Sequence, residues 1–547
     1  MNLLHVVLGS ALVLCVLAAA LVLVVVVATR RKFVAAASIP TFDEPDLVWG
    51  HLPWFTTPDV HKKLAAKAAL LGPLFRLRLA VECLVIVSDP AEAARICMRG
   101  EDFMEKATAA YNGFNLSHTG PTTTSILTSH TDDQWRLLRK ALSPCFSSAN
   151  MKAALPVIQS ITAKIMDQIE AAGPTQAYDV IDLARRVTAE VIGRWGFKTS
   201  FGGDDLSMPS KIVSMMDGFL NALHHLWNNP FWAISLLTSK EARVHRANSL
   251  VYDSFMDNVT RELQVRPLDE LPTDCIAGAL LRTTQPSGKP LPFYQLKSNM
   301  AIMLGAGFET SASAIGSIVL SLLQHPDELA RLEDELDAFG LLQTSKRPEP
   351  RAVEWDDLGR MTFLNAVIKE TLRWHSPASL GTVRVSSKMT KICGYDVPAG
   401  TWIALPGGVI DRSTAVYGED ADKFRPDRWL SRSSDPGSKD GSAWAATGAY
   451  DGHGDGASGG AVDKPKAPAA PAQDRLKEPI AFSMGPRDCV GQTLARLELQ
   501  VFIAELFSRF RVFLAPGMGS PEEIFDRQIY HMTLSFDGEV LLRMEPR

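Results

Sequence analysis

The chain has 547 residues, of which 46% are hydrophobic, so it can bury a large core. On length alone it would divide into two to four domains. Its formal net charge of −5 gives no reason to expect a nucleic acid as ligand. The seven cysteines form no C-x-x-C pair and the twelve histidines form no H-x-x-x-H cluster. The sequence therefore predicts a reducing compartment, no disulfide scaffold and no zinc site.

The N-terminus contains an uncharged apolar segment at residues 6–28, composed mostly of Leu, Val and Ala. This segment is long enough to cross a bilayer with some tilt. Because Arg30, Arg31 and Lys32 follow it, the positive-inside rule places the rest of the chain in the cytoplasm. A cleaved signal peptide is the alternative, but its basic residues would precede a shorter apolar stretch. We therefore predict an N-terminal signal anchor, a transmembrane helix with a basic stop, at residues 1–32.

Turn residues and periodicity predict the elements that follow the anchor. Residues 33–54 contain several Pro, Asp and Trp residues, which predict an irregular hinge. Residues 75–87 alternate partly between apolar and polar side chains, which predicts a two-stranded hairpin. Further along, Trp135 and Arg139 are four residues apart in a helical pattern, so they share one helix face.

Residues 295–324 form the longest apolar run after the anchor. Its length is compatible with a second membrane span or with a buried core helix. Glu309 and Thr310 lie in its middle, close to Gly305 and Gly307. A carboxylate in hydrocarbon is costly and needs a functional reason, so these residues favour the core helix.

Two short motifs combine charged and apolar residues in the C-terminal third. Glu370 and Arg373 have E-x-x-R spacing on an apolar helix, and residues 424–429 read F-R-P-D-R-W. An exposed pair with E-x-x-R spacing contributes less than about 1 kcal/mol, so this spacing alone predicts no function. Residues 431–476 are rich in Gly, Ser, Ala, Asp and Pro, a composition that cannot offset its ordering entropy. We predict a disordered surface insertion there, with a regulatory or docking segment as the alternative.

The most specific pattern is the loop F-x-x-G-x-R-x-C-x-G, which an amphipathic helix follows. Its fixed positions are Phe482, Gly485, Arg487, Cys489 and Gly491. Because a helix N-terminus favours negative charge, Cys489 is placed to persist as a thiolate, which can ligate haem iron. The glycines allow tight turns and a close approach to a flat cofactor, and Arg487 offers a guanidinium to a propionate. A buried structural cysteine is the alternative, and five fixed positions in one loop argue against it.

This loop resembles the haem-binding signature of the cytochrome P450 family, the haem-thiolate monooxygenases, in their membrane-anchored microsomal form. Further motifs of that family occur in the same order: W-x-x-x-R at Trp135, A-G-F-E-T-S at residues 306–311, and E-x-x-R followed by F-x-P-x-R-W. The resemblance spans residues 40–547. It implies a fold that is mainly α with a small β region, in one catalytic domain at residues 55–547 behind the anchor and the hinge.

The resemblance implies a role for each residue that matches the family pattern. Cys489 would be the axial ligand of the haem iron. The residues expected to contact haem are Trp135, Arg139, Arg384, Phe482, Gly485, Arg487 and Gly491. Thr310 would hydrogen-bond dioxygen or water, Glu309 would supply protons, and Gly307 would widen the helix above the haem. The residues expected to form a structural network beneath the haem-binding loop are Glu370, Arg373 and Arg428. The expected substrate-lining residues are Met303, Ala306, Ser379, Leu380, Met532 and Thr533.

Two positions depart from the family pattern. Asp132 stands where a glycine is usual three residues before Trp135, which affects the expected geometry of the preceding loop. Asp411 stands where a histidine is usual before Arg412. The sequence gives no physical reason for the second change.

The resemblance implies a b-type haem, dioxygen as co-substrate, and electrons from NADPH through a membrane-bound flavin reductase. The expected reaction inserts one oxygen atom into an apolar small molecule, such as a lipid, sterol, terpenoid or xenobiotic. The expected location is the endoplasmic reticulum membrane, with the catalytic domain facing the cytoplasm. Two alternatives stay open: a fold relative that rearranges or dehydrates peroxides, and a haem-carrying binding protein without turnover. Glu309 and Thr310 argue against the first, because that chemistry does not need protons for oxygen activation.

Overall fold

A computed structural model describes residues 24, 27, 30–99, 105–116, 124–229, 232–430 and 478–547. The predicted apolar segment at residues 6–28 lies almost entirely outside the described residues, and the predicted insertion at residues 431–476 lies wholly outside them.

The α-helices of the described chain are α1 (Leu52–Phe55), α2 (Val60–Leu71), α3 (Pro90–Arg99), α4 (Asn112–Leu116), α5 (Asp133–Leu142), α6 (Ser148–Ala172), α7 (Val180–Val191), α8 (Lys211–Asn228), α9 (Trp232–Thr238), α10 (Lys240–Val265), α11 (Ile276–Arg282), α12 (Phe293–Gln324), α13 (Pro326–Ala338), α14 (Trp355–Arg360), α15 (Thr362–Trp374), α16 (Gly407–Ile410), α17 (Thr414–Tyr417), α18 (Asp427–Leu430), α19 (Gln492–Arg509) and α20 (Pro521–Asp526). The strands are β1 (Leu74–Leu79), β2 (Glu82–Val87), β3 (Ala177–Asp179), β4 (Thr382–Val385), β5 (Thr390–Ile392), β6 (Tyr395–Val397), β7 (Trp402–Leu405), β8 (Phe510–Leu514), β9 (Gln528–His531), β10 (Thr533–Phe536) and β11 (Leu541–Pro546).

Helix α12 lies at the centre of the largest hydrophobic cluster and packs against α7, α10, α15 and α19. It ends at Gln324 because His325, the residue before Pro326, takes an extended φ of −125°. Among the described residues, α12 is the one helix that is long and apolar enough to cross a membrane. Protein atoms bury 78% of its most apolar 18-residue stretch. The prediction of a core helix is therefore confirmed.

The strands form small sheets beside the helical core. The largest sheet has the order β1-β2-β7-β4, in which β2 and β7 are parallel and the other neighbours are antiparallel. A second sheet has the order β3-β11-β8, and the β5–β6 and β9–β10 pairs are antiparallel hairpins. The predicted hairpin at residues 75–87 is confirmed as β1 and β2, which pair from Leu74–Val87 to Leu79–Glu82. The mainly α fold with a small β region is confirmed as well.

Residues 33–54 pack on β1 through a buried arginine. The guanidinium of Arg78, which is 1% exposed, donates to both carboxylate oxygens of Glu44 at 2.6 and 3.0 Å. It also donates to the carbonyl oxygens of Leu47 and Val48 at 2.8 Å each. Charge-assisted bonds of this kind fix the position of a segment that contains little regular structure. The irregular segment is therefore docked against the sheet.

A buried carboxylate organises the segment beneath the haem-binding loop. Glu370 of α15 is 0% exposed and receives hydrogen bonds from the guanidinium of Arg373 at 2.8 and 2.9 Å. Arg428 and the indole N–H of Trp429 each donate to the same carboxylate at 2.9 Å. The backbone N–H of Arg425 adds another bond at 2.8 Å. The Glu370, Arg373 and Arg428 network predicted from the resemblance is thus present, with Trp429 as a further member.

Asp411 connects this network to the haem-binding loop. Arg373 donates to the Asp411 carbonyl oxygen at 3.1 Å, and the two carboxylate oxygens of Asp411 accept from the Ile480 N–H at 3.1 and 3.0 Å. Burial raises the pKa of the Asp411 carboxyl to about 8. Ile480 lies two residues before the loop begins at Phe482. The acceptor role toward Ile480 gives the physical reason for an aspartate at this position.

We expect Glu370→Ala to lower the free energy of unfolding by about 3–5 kcal/mol, because it leaves Arg373 and Arg428 buried without their carboxylate. Chemical unfolding, followed by tryptophan fluorescence, measures this loss. The control is Asp396→Ala, which removes the exposed ion pair between Lys391 and Asp396 and should change stability far less. Equal losses of unfolding free energy in the two variants would contradict the central role of Glu370 in this network.

Candidate active site

The cysteine loop is shaped by two residues with positive φ and one backbone hydrogen bond. Ser483 has φ +59° and Gly485 has φ +74°. The N–H of Cys489 donates to the carbonyl oxygen of Phe482 at 2.9 Å and closes the loop before α19 begins. A Cβ at position 485 would lie 2.1 Å from the carbonyl oxygen of Cys97, at the end of α3. The close packing of the cysteine loop against the end of α3 therefore requires glycine at position 485, whether or not Gly485 also contacts a cofactor.

The ionisation of Cys489 depends on opposing effects. The side chain keeps accessible surface, but protein atoms surround it at longer range, and this burial raises the pKa of the thiol above its usual value. The N–H of Gly491 and the positive charges of Arg139 and Arg496 act in the opposite direction. The helix N-terminus alone therefore does not secure a thiolate. Coordination to a metal ion would do so, because a metal-bound thiol is deprotonated.

Helix α5 is tied to the cysteine loop by two arginine contacts. Asp132 caps the helix, accepting from the Trp135 N–H at 2.8 Å, which gives the physical reason for an aspartate where the family usually has glycine. The ring of the buried Trp135 packs under Arg487, whose Cζ lies 4.5 Å from the ring centroid. Arg139 donates to the backbone oxygen of Asp488 at 2.8 Å and to its carboxylate. In the structure Arg139 thus positions the loop, and its contact with a propionate stays a prediction.

Three buried cations converge beside this loop. Arg487, Arg384 and Lys106 are each less than 9% exposed, and Lys106 forms an isolated β-bridge with Arg384. Burial and the charge of Arg384 lower the pKa of Arg487 to about 10. Burial and the charges of Arg487 and Arg384 lower the pKa of Lys106 well below its usual value. The nearby carboxylate of Glu105 is half-exposed and bonds to Thr131 and His130.

This arrangement fits a dianionic cofactor. Nε and Nη1 of Arg487 are buried and have no hydrogen-bond partner among the described residues, and Nη2 donates to the Ser129 carbonyl oxygen at 2.8 Å. Buried donors without acceptors are costly, so the site is suited to a ligand that carries carboxylates. The two propionates of haem would meet this need, and the role of Cys489 as the iron ligand stays a prediction. A Cβ at Gly491 would meet Phe146 at 3.7 Å, so the protein itself does not require glycine there.

The central helix presents Thr310 and Ala306 on its partly exposed side. The Thr310 Oγ1 donates to the Ala306 carbonyl oxygen at 2.7 Å, which leaves the lone pairs of this oxygen as acceptors. The expected widening at Gly307 is wrong, because α12 runs as an uninterrupted α-helix. Gly307 instead makes room for Ile192, whose Cδ1 would lie 3.1 Å from an added Cβ.

Glu309 points away from solvent into a buried ion pair. It is 3% exposed, and Arg185 of α7 donates to its two carboxylate oxygens at 2.7 and 2.8 Å. Arg185 also lies 3.3 Å from a carboxylate oxygen of Asp217 on α8. Burial raises the pKa of Glu309 even though Arg185 stabilises its charge. Glu309 is therefore held in an ion pair in this structure, and Arg185 bridges it to Asp217.

The expected substrate-lining segments meet around Leu534 of β10. Its N–H donates to the Pro377 carbonyl oxygen at 2.8 Å, and its carbonyl oxygen accepts from the Ser313 hydroxyl on α12. The hydroxyls of Ser379 and Thr533 are buried and have no hydrogen-bond partner among the described residues. Of the remaining candidates, Met303 is buried, Ala306 is exposed, and Met532 has φ +68° at the hairpin turn. Leu380 differs, because it packs against the cluster around β1, β2 and α2.

A family model described as Cytochrome P450 matches residues 40–535. The chain belongs to the cytochrome P450 family. The family uses a haem-thiolate centre and dioxygen, so this chain is an oxidoreductase of the monooxygenase class.

Similar proteins come from fungi and plants. The chain is 26% identical over 495 residues to Cytochrome P450 monooxygenase ALT8 of Alternaria alternata, which covers 83% of this chain and 79% of that protein. It is 24% identical over 525 residues to Flavonoid 3'-monooxygenase of Arabidopsis thaliana, with 93% and 92% coverage. It is 25% identical over 464 residues to Cytochrome P450 monooxygenase FUM15 of Gibberella moniliformis, with 80% and 75% coverage.

Sequence reasoning missed two residues of this P450 site. Lys106 lies in a segment without a recognisable motif, and its relation to Arg384 depends on a bridge between residues 278 positions apart. Arg185 belongs to an ordinary amphipathic helix and gains its role from the packing of α7 against α12. The one available signal was the buried Glu309, which requires a cationic partner somewhere in the fold.

We expect Cys489→Ser to abolish the thiolate-type carbon monoxide difference spectrum, because a serine hydroxyl does not supply the thiolate ligand. The spectrum of the reduced protein measures this change. The control is Cys393→Ser, which alters a partly buried cysteine outside the loop and should keep the spectrum. A thiolate spectrum in the Cys489→Ser protein would show that another residue ligates the iron.

We expect Lys106→Met to have opposite effects on the haem-free and the haem-loaded protein. Burial and the charges of Arg487 and Arg384 disfavour the charged form of the Lys106 amine, so an apolar side chain there should stabilise the protein without haem. If the propionates bind beside Lys106, they would favour its charged form, so its loss should speed haem release. Chemical unfolding of haem-free protein and haem transfer to apomyoglobin measure the two effects.

The matched control for Lys106→Met is Lys391→Met, which removes an exposed charge and should change neither quantity. If the Lys106→Met protein loses haem at the parent's rate, Lys106 does not face the propionates.

Proposed function

We propose that this protein inserts one oxygen atom of dioxygen into an apolar small molecule, such as a lipid, sterol, terpenoid or xenobiotic, with electrons from NADPH delivered by a flavin reductase. The observation that carries the proposal is the sequence neighbourhood of Thr310 and Glu309 on α12. Thr310 presents a hydroxyl on the partly exposed side of the helix, and Glu309 forms a buried ion pair with Arg185. A binding protein without turnover, or a fold relative that rearranges peroxides, has no need for such a pair.

Bound haem supplies the activation of dioxygen. The residues of the chain supply binding, orientation and protons. The Thr310 hydroxyl accepts a hydrogen bond from water while its own proton is held by the Ala306 carbonyl oxygen. Burial raises the pKa of Glu309, whereas the paired Arg185 favours its charged form. If Arg185 shifts to Asp217, the Glu309 carboxylate takes up a proton, which it can release when the ion pair forms again. This exchange offers a route for protons from the surface of α8 to Thr310.

The side chains around the expected pocket favour an apolar substrate. Met303 and Ala306 offer a thioether and a methyl group, and Met532 extends from the hairpin turn. The Ser379 and Thr533 hydroxyls provide a few polar groups that could orient a substrate. Mostly apolar linings with few polar anchors are typical of sites for small organic ligands.

Electron delivery by an acidic reductase is supported by the exposed side of α5. Arg136 and Lys140 are exposed on the helix that Arg139 ties to the cysteine loop. Arg496, which also lies near the loop, is only 9% exposed and stacks on Phe482, so it does not extend this basic surface. Exposed charges of this kind act mainly on the rate of encounter with a partner.

A location at the endoplasmic reticulum membrane, with the catalytic domain in the cytoplasm, is supported by the apolar segment at residues 6–28 and by the exposed basic residues Arg30, Arg31 and Lys32. The short helix α9 also exposes large apolar side chains, with Leu237 at 81%. Exposed apolar side chains on a surface helix favour contact with a membrane.

We expect Thr310→Ala to keep haem, the carbon monoxide spectrum and substrate binding, while product formation falls relative to NADPH consumption. Positioned proton transfer typically contributes about 10²–10⁴-fold, which is enough to divert electrons from product to hydrogen peroxide. The ratio of product and peroxide to NADPH consumed measures this diversion.

The control for Thr310→Ala is Thr310→Ser, which keeps the hydroxyl and should keep most of the coupling. A parent-like product ratio in Thr310→Ala would contradict the role of Thr310. Turnover of peroxides by the parent protein without NADPH consumption would instead favour the fold relative.

A further inference from the structure

Three metal-ligating side chains that the oxygenase reaction does not use meet where α8 ends and α10 begins. They are His225 of α8 and Glu241 and His245 of α10. One ring nitrogen of each histidine and one carboxylate oxygen of Glu241 lie within 4.8 Å of one another. The two imidazole rings stack with centroids 4.6 Å apart, and the His245 Nε2 lies 3.7 Å from a Glu241 oxygen.

Hydrogen bonds from the described residues leave the ring nitrogens of these two histidines incompletely paired. The His245 Nδ1 is buried and has no hydrogen-bond partner among the described residues. The closest polar contact of the His225 Nε2 is the long one of 3.5 Å to the Asn229 amide. Arg246 lines a small cleft together with His225 and His245.

We propose that His225, Glu241 and His245 bind a divalent transition-metal ion of the Zn²⁺ class and thereby join α8 to α10. Two imidazoles and one carboxylate form a donor set that suits Zn²⁺, with a water as fourth ligand. Metal–ligand bonds of about 2.0–2.2 Å require the three donor atoms to move closer together than 4.8 Å. The exposed Glu241 side chain and rotation of the two imidazoles provide this movement.

The position of the site predicts its effect. The metal would join the two helices that flank α9, so it would restrain this surface segment. His224, the neighbour of His225, packs against His531 with ring centroids 4.0 Å apart and planes tilted by 40°, and His531 precedes Met532 at the hairpin turn. A metal at His225 therefore holds the helix end that contacts the substrate-lining hairpin. Any influence of the metal on the substrate pocket beside this hairpin rests on the proposed function. Metal binding itself does not.

The test is calorimetric titration of the haem-loaded full chain, without a polyhistidine tag, with Zn²⁺. We expect one zinc ion per chain in the parent protein. His225→Gln and His245→Gln each remove a ligand and should weaken zinc binding by at least about 100-fold. The matched control is His224→Gln, one residue away on the same helix, which should keep the affinity. Equal zinc affinity in the parent and His245→Gln proteins would overturn the site.

A second measurement needs no variant. Zinc K-edge absorption, which the haem iron does not obscure, should show imidazole scattering from two histidines in the parent protein. A spectrum without imidazole ligands would overturn the assignment. Addition of Zn²⁺ should also slow hydrogen exchange in residues 211–265. Unchanged exchange would overturn the proposal that the metal joins α8 to α10. These measurements use neither substrate nor NADPH, so their failure is separate from a failure of the proposed oxygenase reaction.

Discussion

The buried carboxylate of Glu370 fixes the relation between the helical core and the loop that carries Cys489. Its oxygens accept from Arg373, Arg428 and Trp429, so one charge organises both α15 and the segment that ends at α18. Arg373 then reaches the Asp411 carbonyl oxygen, and the Asp411 carboxylate holds Ile480. Because a buried charge is tolerated only when its bonds are complete, this chain of contacts has little freedom to shift. The contact with Ile480 therefore limits how far the start of the cysteine loop can move.

The expected cofactor site has an excess of positive charge, whereas the Glu370 network pairs its carboxylate with cations. Lys106, Arg384 and Arg487 are buried together. Nε and Nη1 of Arg487 have no acceptor among the described residues, and burial with the neighbouring positive charges lowers the pKa values of Lys106 and Arg487. A cluster of this kind costs stability without an anion and gains it with one. The two propionates of haem would complete the charge balance, which couples cofactor binding to the stability of this region. The contacts of Trp135 and Arg139 with the loop orient the cluster.

Helix α12 combines two demands that conflict in an ordinary core helix. Its packing against α7, α10, α15 and α19 surrounds it with apolar side chains, yet it carries a carboxylate and a hydroxyl side by side. The Glu309 carboxylate is paired across the helix interface with Arg185, and the Thr310 hydroxyl bonds to its own helix. Arg185 also lies near Asp217, so two carboxylates share one cation. The burial of Glu309 is therefore compensated by a charge from a neighbouring helix.

Elements and motifs that depend on neighbours along the chain could be predicted from the amino-acid sequence. The apolar run around Glu309, the β1–β2 hairpin and the cysteine loop follow from local periodicity, turn residues and fixed spacing. The distant residues that complete each site became evident only in the folded chain. Gly307 makes room for Ile192, Gly485 for Cys97, and Asp411 accepts from Ile480, each across a long separation in the chain. The absence of H-x-x-x-H spacing likewise argued against a metal site, but His225 and His245 come together through helix packing. Contacts between elements depend on how their faces pack, and local spacing carries no record of that packing.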